Sequence, residues 1–137
     1  MKISPADQAF SKCVRERANW TCERCGSVHE KGSMGLHCSH NFSRRHRTIR
    51  WEPLNALALC FTCHQWFGGS PYESGPWLGE FLGDGAMEIL IEKKSAKFKI
   101  PKSEEKAIGK HYREQLKDME KKRNDGETGR IEFIGYF

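Results

Sequence analysis

The sequence predicts an α+β fold, a small ββα unit stapled by a metal and flanked by N- and C-terminal helices. Two Cys-x-x-Cys pairs, Cys22/Cys25 and Cys60/Cys63, present four thiolates in two knuckles, the donor set of a tetrahedral structural Zn²⁺. Two short segments of strand length, Leu36–His40 and Leu57–Cys60, lie between the knuckles or lead into the second, where a helical pattern starts. The 137 residues are only 37% hydrophobic and 30% charged, so the core must be small. Metal binding can supply the missing folding free energy, about 10 kcal/mol in small finger peptides.

Residues 5–20 are expected to form the first helix, with Ser4 as N-cap, Pro5 in the first turn and Phe10, Cys13, Val14 and Arg17 at helical spacing. Trp20 leads into the first knuckle, where Gly26 supplies the positive φ that the turn requires. After a turn over Gly32–Gly35, Leu36–His40 is the first strand. An Arg-rich loop closed by Pro53 leads to the second strand, Leu57–Cys60. A helix starts at Cys63 and is interrupted at Gly68-Gly69. Short helices follow over Trp77–Leu82 and Met87–Ile91, and the alternation in Lys97–Ile100 predicts a strand. Ser103 is expected to cap the strongest helix, with Glu104 and Glu105 in its first turn and Lys121, Lys122 and Arg123 in its last. Its apolar stripe is Ile108, Tyr112, Leu116 and Met119, and Gly109 costs it about 1 kcal/mol. Past Asn124 comes a loop and an apolar end. The expectation is one domain over 1–137: a helix in 1–21, a zinc-stabilised core in 22–68 and a helical extension in 69–137.

The net charge of +5 is moderate, but its distribution is uneven. Phe42–Arg50 holds Arg44, Arg45, Arg47 and Arg50 with no acid, and ten Lys and two Arg face five acids between Lys93 and Arg123. Clustered cations point to a polyanion partner, although a solvated helix face explains the second run equally well. No apolar stretch reaches the length of a membrane span, and the first residues carry no signal-peptide core. A membrane partner is therefore not expected, and the cysteines are expected in a reducing, cytoplasmic compartment. Six cysteines would also satisfy three disulfides, but the two knuckles favour zinc. Cys13 and Cys38 then read as small buried hydrophobes.

Hydrolysing a phosphodiester needs an activated water and charge stabilisation at the phosphate; a neutral His and one divalent cation can supply these. His40, at a strand end, is the candidate base, with Asn55 to fix its ring by a side-chain hydrogen bond. His64, beside a knuckle cysteine, is assigned to the catalytic cation, with His37 and Ser39 as further candidate ligands. A Cys₃His site with one Cys spare would instead make His64 structural. Arg44, Arg45, Arg47 and Arg50 are candidate phosphate contacts, and Trp51 is a candidate base-stacking surface or a core residue. His46 is another candidate metal or phosphate contact.

The series His40…Asn55…Cys60-x-x-Cys63-His64 resembles the HNH, or ββα-metal (His-Me finger), endonuclease motif. The paired knuckles around it also look like the layout of phage endonuclease VII. A closer likeness is to the phage NinG/Rap family of recombination endonucleases. It runs from Val14-Arg15-Glu16-Arg17 through Cys22-x-x-Cys25-Gly26, Ser39-His40, Arg50-Trp51, Asn55 and Cys60-x-x-Cys63-His64-Gln65 to Tyr112-Arg113-x-Gln115-Leu116-Lys117-Asp118. The resemblance implies a structural Zn²⁺ and a catalytic Mg²⁺ or Mn²⁺. It implies His40 as general base, Asn55 as its orienting residue and His64 as a cation ligand. The activity implied is nicking of branched DNA, such as Holliday junctions and D-loops, during phage recombination in a bacterial host cytoplasm.

The chain departs from the pattern where relatives carry Asp, with Ser39 just before the base and His37 three residues before it. A nitrogen-rich site is expected to favour Mn²⁺, Ni²⁺ or Co²⁺ relative to Mg²⁺. Two other readings stand beside this one: an HNH enzyme cutting linear duplex at a specific sequence, and a zinc-ribbon-like DNA-binding protein with no catalysis. A homodimer through the helix from Ser103 to Arg123 and the apolar C-terminus is expected if two strands are nicked symmetrically. Intramolecular packing explains the same stripe.

Overall fold

Ser4 and Asp7 close the first helix at its start: the Ser4 hydroxyl accepts from the Asp7 amide (3.1 Å), and the Asp7 carboxylate accepts from the Ser4 amide (2.8 Å). This capping box satisfies two amides that the helix leaves without partners. The structure, a computed structural model, describes residues 1–137. Helix α1 spans Pro5–Arg17, three residues shorter than its pattern suggests. Asn19 and Trp20 take φ of 53° and 56°, and the Trp20 amide reaches back to the Arg15 carbonyl (3.0 Å), a left-handed helix stop.

The chain is α+β, with one two-stranded antiparallel sheet among five α-helices. Strands β1 (Leu36–His40) and β2 (Ala56–Cys60) pair with Leu36 opposite Cys60 and His40 opposite Ala56. Alternation sends Cys38 and His40 to one face and His37 and Ser39 to the other. On the first face the His40 ring meets Phe10 of α1, with centroids 6.2 Å apart. On the second, His37 meets Phe61 and His64 of α2, which spans Phe61–Gly69. The hairpin is thus sandwiched between α1 and α2. This explains why β2, Ala-Leu-Ala-Leu-Cys, is apolar throughout instead of alternating.

Helices α3 (Pro71–Leu82) and α4 (Asp84–Ser95) are longer than the short segments expected, separated by Gly83 at φ 84°. Two expectations fail beyond them. Lys97–Ile100 is not a strand: Ile100 is buried, and its carbonyl accepts from the Arg47 guanidinium (3.3 and 3.1 Å) in place of a neighbouring strand. Ser103 does not cap α5 (Glu105–Asn124); it lies in a 3₁₀ turn over Lys102–Glu104 and makes no capping bond.

α5 packs along α1, and its stripe is used inside the chain: Ile108, Tyr112 and Met119 are fully buried. At Gly109 the helices lie close, and a Cβ there would be 3.5 Å from the Ala6 Cα, in van der Waals contact. The C-terminal segment returns across the core, with the Ile131 amide donating to the Arg17 carbonyl (3.1 Å) and Phe133 packed edge-on to Phe10 and Tyr112. One core therefore joins residues from Ala6 to Phe133. Of the elements considered for a dimer contact, Ile134 and Phe137 remain exposed. No helix is long and apolar enough to cross a membrane.

Candidate active site and metal centre

The first knuckle is a small hairpin closed by a bridge between Thr21 and Val28, with Gly26 at φ 78°. The second starts α2: Cys60 is the helix N-cap, its Sγ accepting from the Cys63 amide (3.5 Å), and the Cys25 amide reaches Cys22 Sγ in the same way (3.5 Å). All four Sγ atoms lie within 4.8 Å of one another, and Cys25 Sγ is 3.7 Å from Cys60 Sγ. Four thiolates about 2.3 Å from a tetrahedral Zn²⁺ sit about 3.8 Å apart, so the cluster could hold one metal ion such as zinc. Burial pushes the Cys63 thiol up to about 12 among protein groups alone, so a thiolate there needs a cation beside it. Arg24 adds positive charge, with Nη1 3.5 Å from Cys63 Sγ and its guanidinium stacked on Trp66. Cys13 and Cys38 lie outside the cluster. Cys13 donates to the Tyr112 carbonyl (3.2 Å), and burial raises the two thiols to about 12 and about 11.

Because His64 lies in the first turn of α2, the cysteine knuckle fixes its place. Its Nδ1 is 2.9 Å from Nδ1 of His37. In the protein alone one ring donates its proton to the other. Two nitrogens held about 2.1 Å from one octahedral ion are also about 3 Å apart, so the pair fits two adjacent ligands of a cation. Burial, and then the charge of His37, lowers the pKa of His64, which favours the neutral ring that a metal requires.

His40 and His64 line the same two clefts, of about 670 and 470 Å³. Burial first, and then the Arg44 charge, lowers the pKa of His40 to about 4, with Asp7 opposing. Its Nε2 is buried and has no hydrogen-bond partner. The ring is therefore neutral at pH 7 and lines the cleft, while its Nε2 is shielded from solvent.

Asn55 does not bond the His40 ring. Its Oδ1 accepts from the Phe42 amide (2.8 Å), and Nδ2 donates to the carbonyls of Phe42 (3.0 Å) and Ile49 (3.2 Å). Its carbonyl takes the Asn41 amide (2.7 Å). Fully buried, it clamps the loop that leaves His40, and so acts on the ring through the backbone. Asn55→Ala is expected to destabilise the fold by about 2–4 kcal/mol in urea denaturation, because it strands buried loop groups. A loss under about 1 kcal/mol would contradict the clamp.

The Arg cluster is mostly structural. Arg50 grips Asp7 with Nε and Nη2 (3.0 and 2.5 Å), and Arg47 holds Ile100 and Glu105 (3.0 Å). Burial alone would raise the Asp7 carboxyl, but Arg50 and Ser4 outweigh it and hold the pKa low. Trp51 is only 1% exposed, beneath both guanidiniums, so it is a core residue and cannot stack on a base. Arg44 faces the larger cleft, Arg45 and His46 are exposed, and Ser39 is buried with an unpartnered hydroxyl facing the α2 side.

The same cleft contains residues that the sequence reading missed: Gln8, Ser11, Lys12 and Arg15 of α1. Their signal is the spacing i, i+3, i+4, i+7, a polar stripe opposite the apolar one. The fold and site define an α+β chain whose four-cysteine cluster is suited to one metal ion, beside a cleft walled by histidines and cations. No protein family, curated protein or solved structure matches the chain.

Proposed function

We propose that the protein is a metal-dependent DNA endonuclease of the HNH type, with Zn²⁺ on the four cysteines and branched DNA as substrate. The observation that carries this reading is the neutral His40 ring, which lines a cleft together with His64, whose Nδ1 is paired with that of His37. A zinc-ribbon-like binder would have no use for that combination. A divalent cation held by His37 and His64 would supply positive charge at the scissile phosphate. His40 accepts the proton of the water that attacks phosphorus, Asn55 holds the loop that sets its ring, and Lys12, Arg15 and Arg44 attract the backbone. The nitrogen donors favour Mn²⁺, Co²⁺ or Ni²⁺ over Mg²⁺, since the one carboxylate lining the larger cleft, Asp7, is engaged by Arg50.

Incubating Holliday junction, flap, D-loop and linear duplex with Mg²⁺, Mn²⁺ or no added cation tests this reading. Nicks in branched substrates are expected, fastest with Mn²⁺ and absent without a divalent ion. No product on any substrate overturns the assignment in favour of a DNA-binding protein. Cutting of linear duplex at one sequence favours the restriction or homing type.

A further inference from the structure

The unpaired charges of this molecule are segregated. Glu73, Glu80, Asp84, Glu88 and Glu92 of α3 and α4 occupy a stretch with no Lys or Arg. From Lys97 to Arg113 the balance is reversed, and the acids there, Glu104 and Glu105, are taken by Tyr136 and Arg47. Within that run Lys106, Lys110 and Arg113 are exposed and have no carboxylate partner. At i, i+4 and i+7 they share one face of α5 and span about 10 Å along its axis.

These cations border a second groove, of about 620 Å³, between the first turn of α1 and α5. The bare Gly109 opens it: a Cβ there would lie 3.0 Å from Arg113 Nη1, so the missing side chain gives the guanidinium its place. The histidine cleft lies on the other flank of α1, lined by Ser11, Lys12 and Arg15. Between the grooves runs an exposed ridge of α1, made by Pro5, Gln8 and Lys12.

We propose that this ridge seats in the major groove of duplex DNA, with one backbone in the histidine cleft and the other on the Lys106–Lys110–Arg113 row. The use of the cleft rests on the nuclease reading; the row is a phosphate track in its own right. The major groove, about 12 Å wide, admits a protruding helix edge, and the grooves on either side of the α1 ridge offer a path for one backbone each. Each strand carries one charge per about 3.4 Å of axis, and the row therefore meets about three phosphates. The acidic α3–α4 surface fixes the polarity of docking by repelling the same duplex.

The test is fluorescence anisotropy with duplex and single-stranded DNA of one sequence, about 20 nucleotides long, across a salt series. It uses His40→Ala protein with and without K106A/K110A/R113A. The triple change is expected to weaken duplex binding about 10- to 100-fold and to reduce the slope of log K against log salt by about 2–3. Single-strand binding should change about twofold at most. Zinc content and thermal midpoint should be unchanged, because the three side chains are exposed and unpaired. Unchanged duplex affinity and slope, equal loss on both DNAs, or binding to anionic vesicles but not to duplex would each overturn the proposal. Wild-type protein that binds duplex through this row yet cuts no DNA would overturn the nuclease reading alone.

Discussion

Replacing Cys63 with Ala is expected to abolish tight Zn²⁺ binding and to leave the chain without a cooperative thermal transition, or with one lowered by more than about 10 °C. The site joins the knuckle after α1 to the turn between β2 and α2, so its loss unties the hairpin from its flanks. Metal binding of about 10 kcal/mol is as large as the whole stability of a typical domain, about 5–15 kcal/mol, so its loss removes most or all of the folding free energy. Chelation of the wild type should reproduce the effect, and zinc should restore it. Calorimetry with metal analysis checks this. A chelated protein that retains its transition would refute a structural role for the cluster.

His40→Ala is expected to lower cleavage about 10²- to 10⁴-fold, the usual contribution of a general base, with zinc content and fold retained. Stability supplies a second readout. The ring has a pKa of about 4 in the folded chain, against 6.5 ordinarily, so the unfolded chain binds the proton more readily. This contribution is fully present above about pH 6.5 and is lost as pH falls through about 4, on the order of 2 kcal/mol after allowance for partial exposure. His40→Gln should therefore show a flatter acid limb in urea denaturation than the wild type. Comparing the two separates this term from thiolate protonation, which affects both. Parallel acid limbs would show that burial does not depress the ring's pKa, and wild-type cleavage by His40→Ala would remove His40 from the mechanism.

The cysteine pairs were legible in the sequence because ligand spacing is short and local, and the hairpin because its strand lengths and the start of α2 follow from those pairs. His37 and His64 were both named as candidate cation ligands, but their contact depends on which strand face each residue takes. What the sequence hid was long-range pairing. The Arg run looked free because Asp7 and Glu105, the carboxylates that engage Arg50 and Arg47, lie far away in the chain. For Trp51 stacking and core roles both stayed open, because nothing local shows that Tyr112 donates to its carbonyl or that guanidiniums cover it; the core role holds. Lys97–Ile100 alternates like a strand, yet it pairs with no strand and its Ile100 carbonyl is taken by the distant Arg47. Ser103 has the composition of a cap, but the 3₁₀ turn places it outside the helix start.

Cys60 accepts the Cys63 amide as the cap of α2 and is also one corner of the sulfur cluster. Winding the helix and gathering the sulfurs are therefore one event, and His64 is presented to the cleft only when that event is complete. The first knuckle precedes the second by 35 residues, so a chain that has made only the first holds two sulfurs and no α2. If the protein is the nuclease proposed above, a metal-starved chain would not present His64 to the cleft and should accumulate as an inert and easily proteolysed precursor.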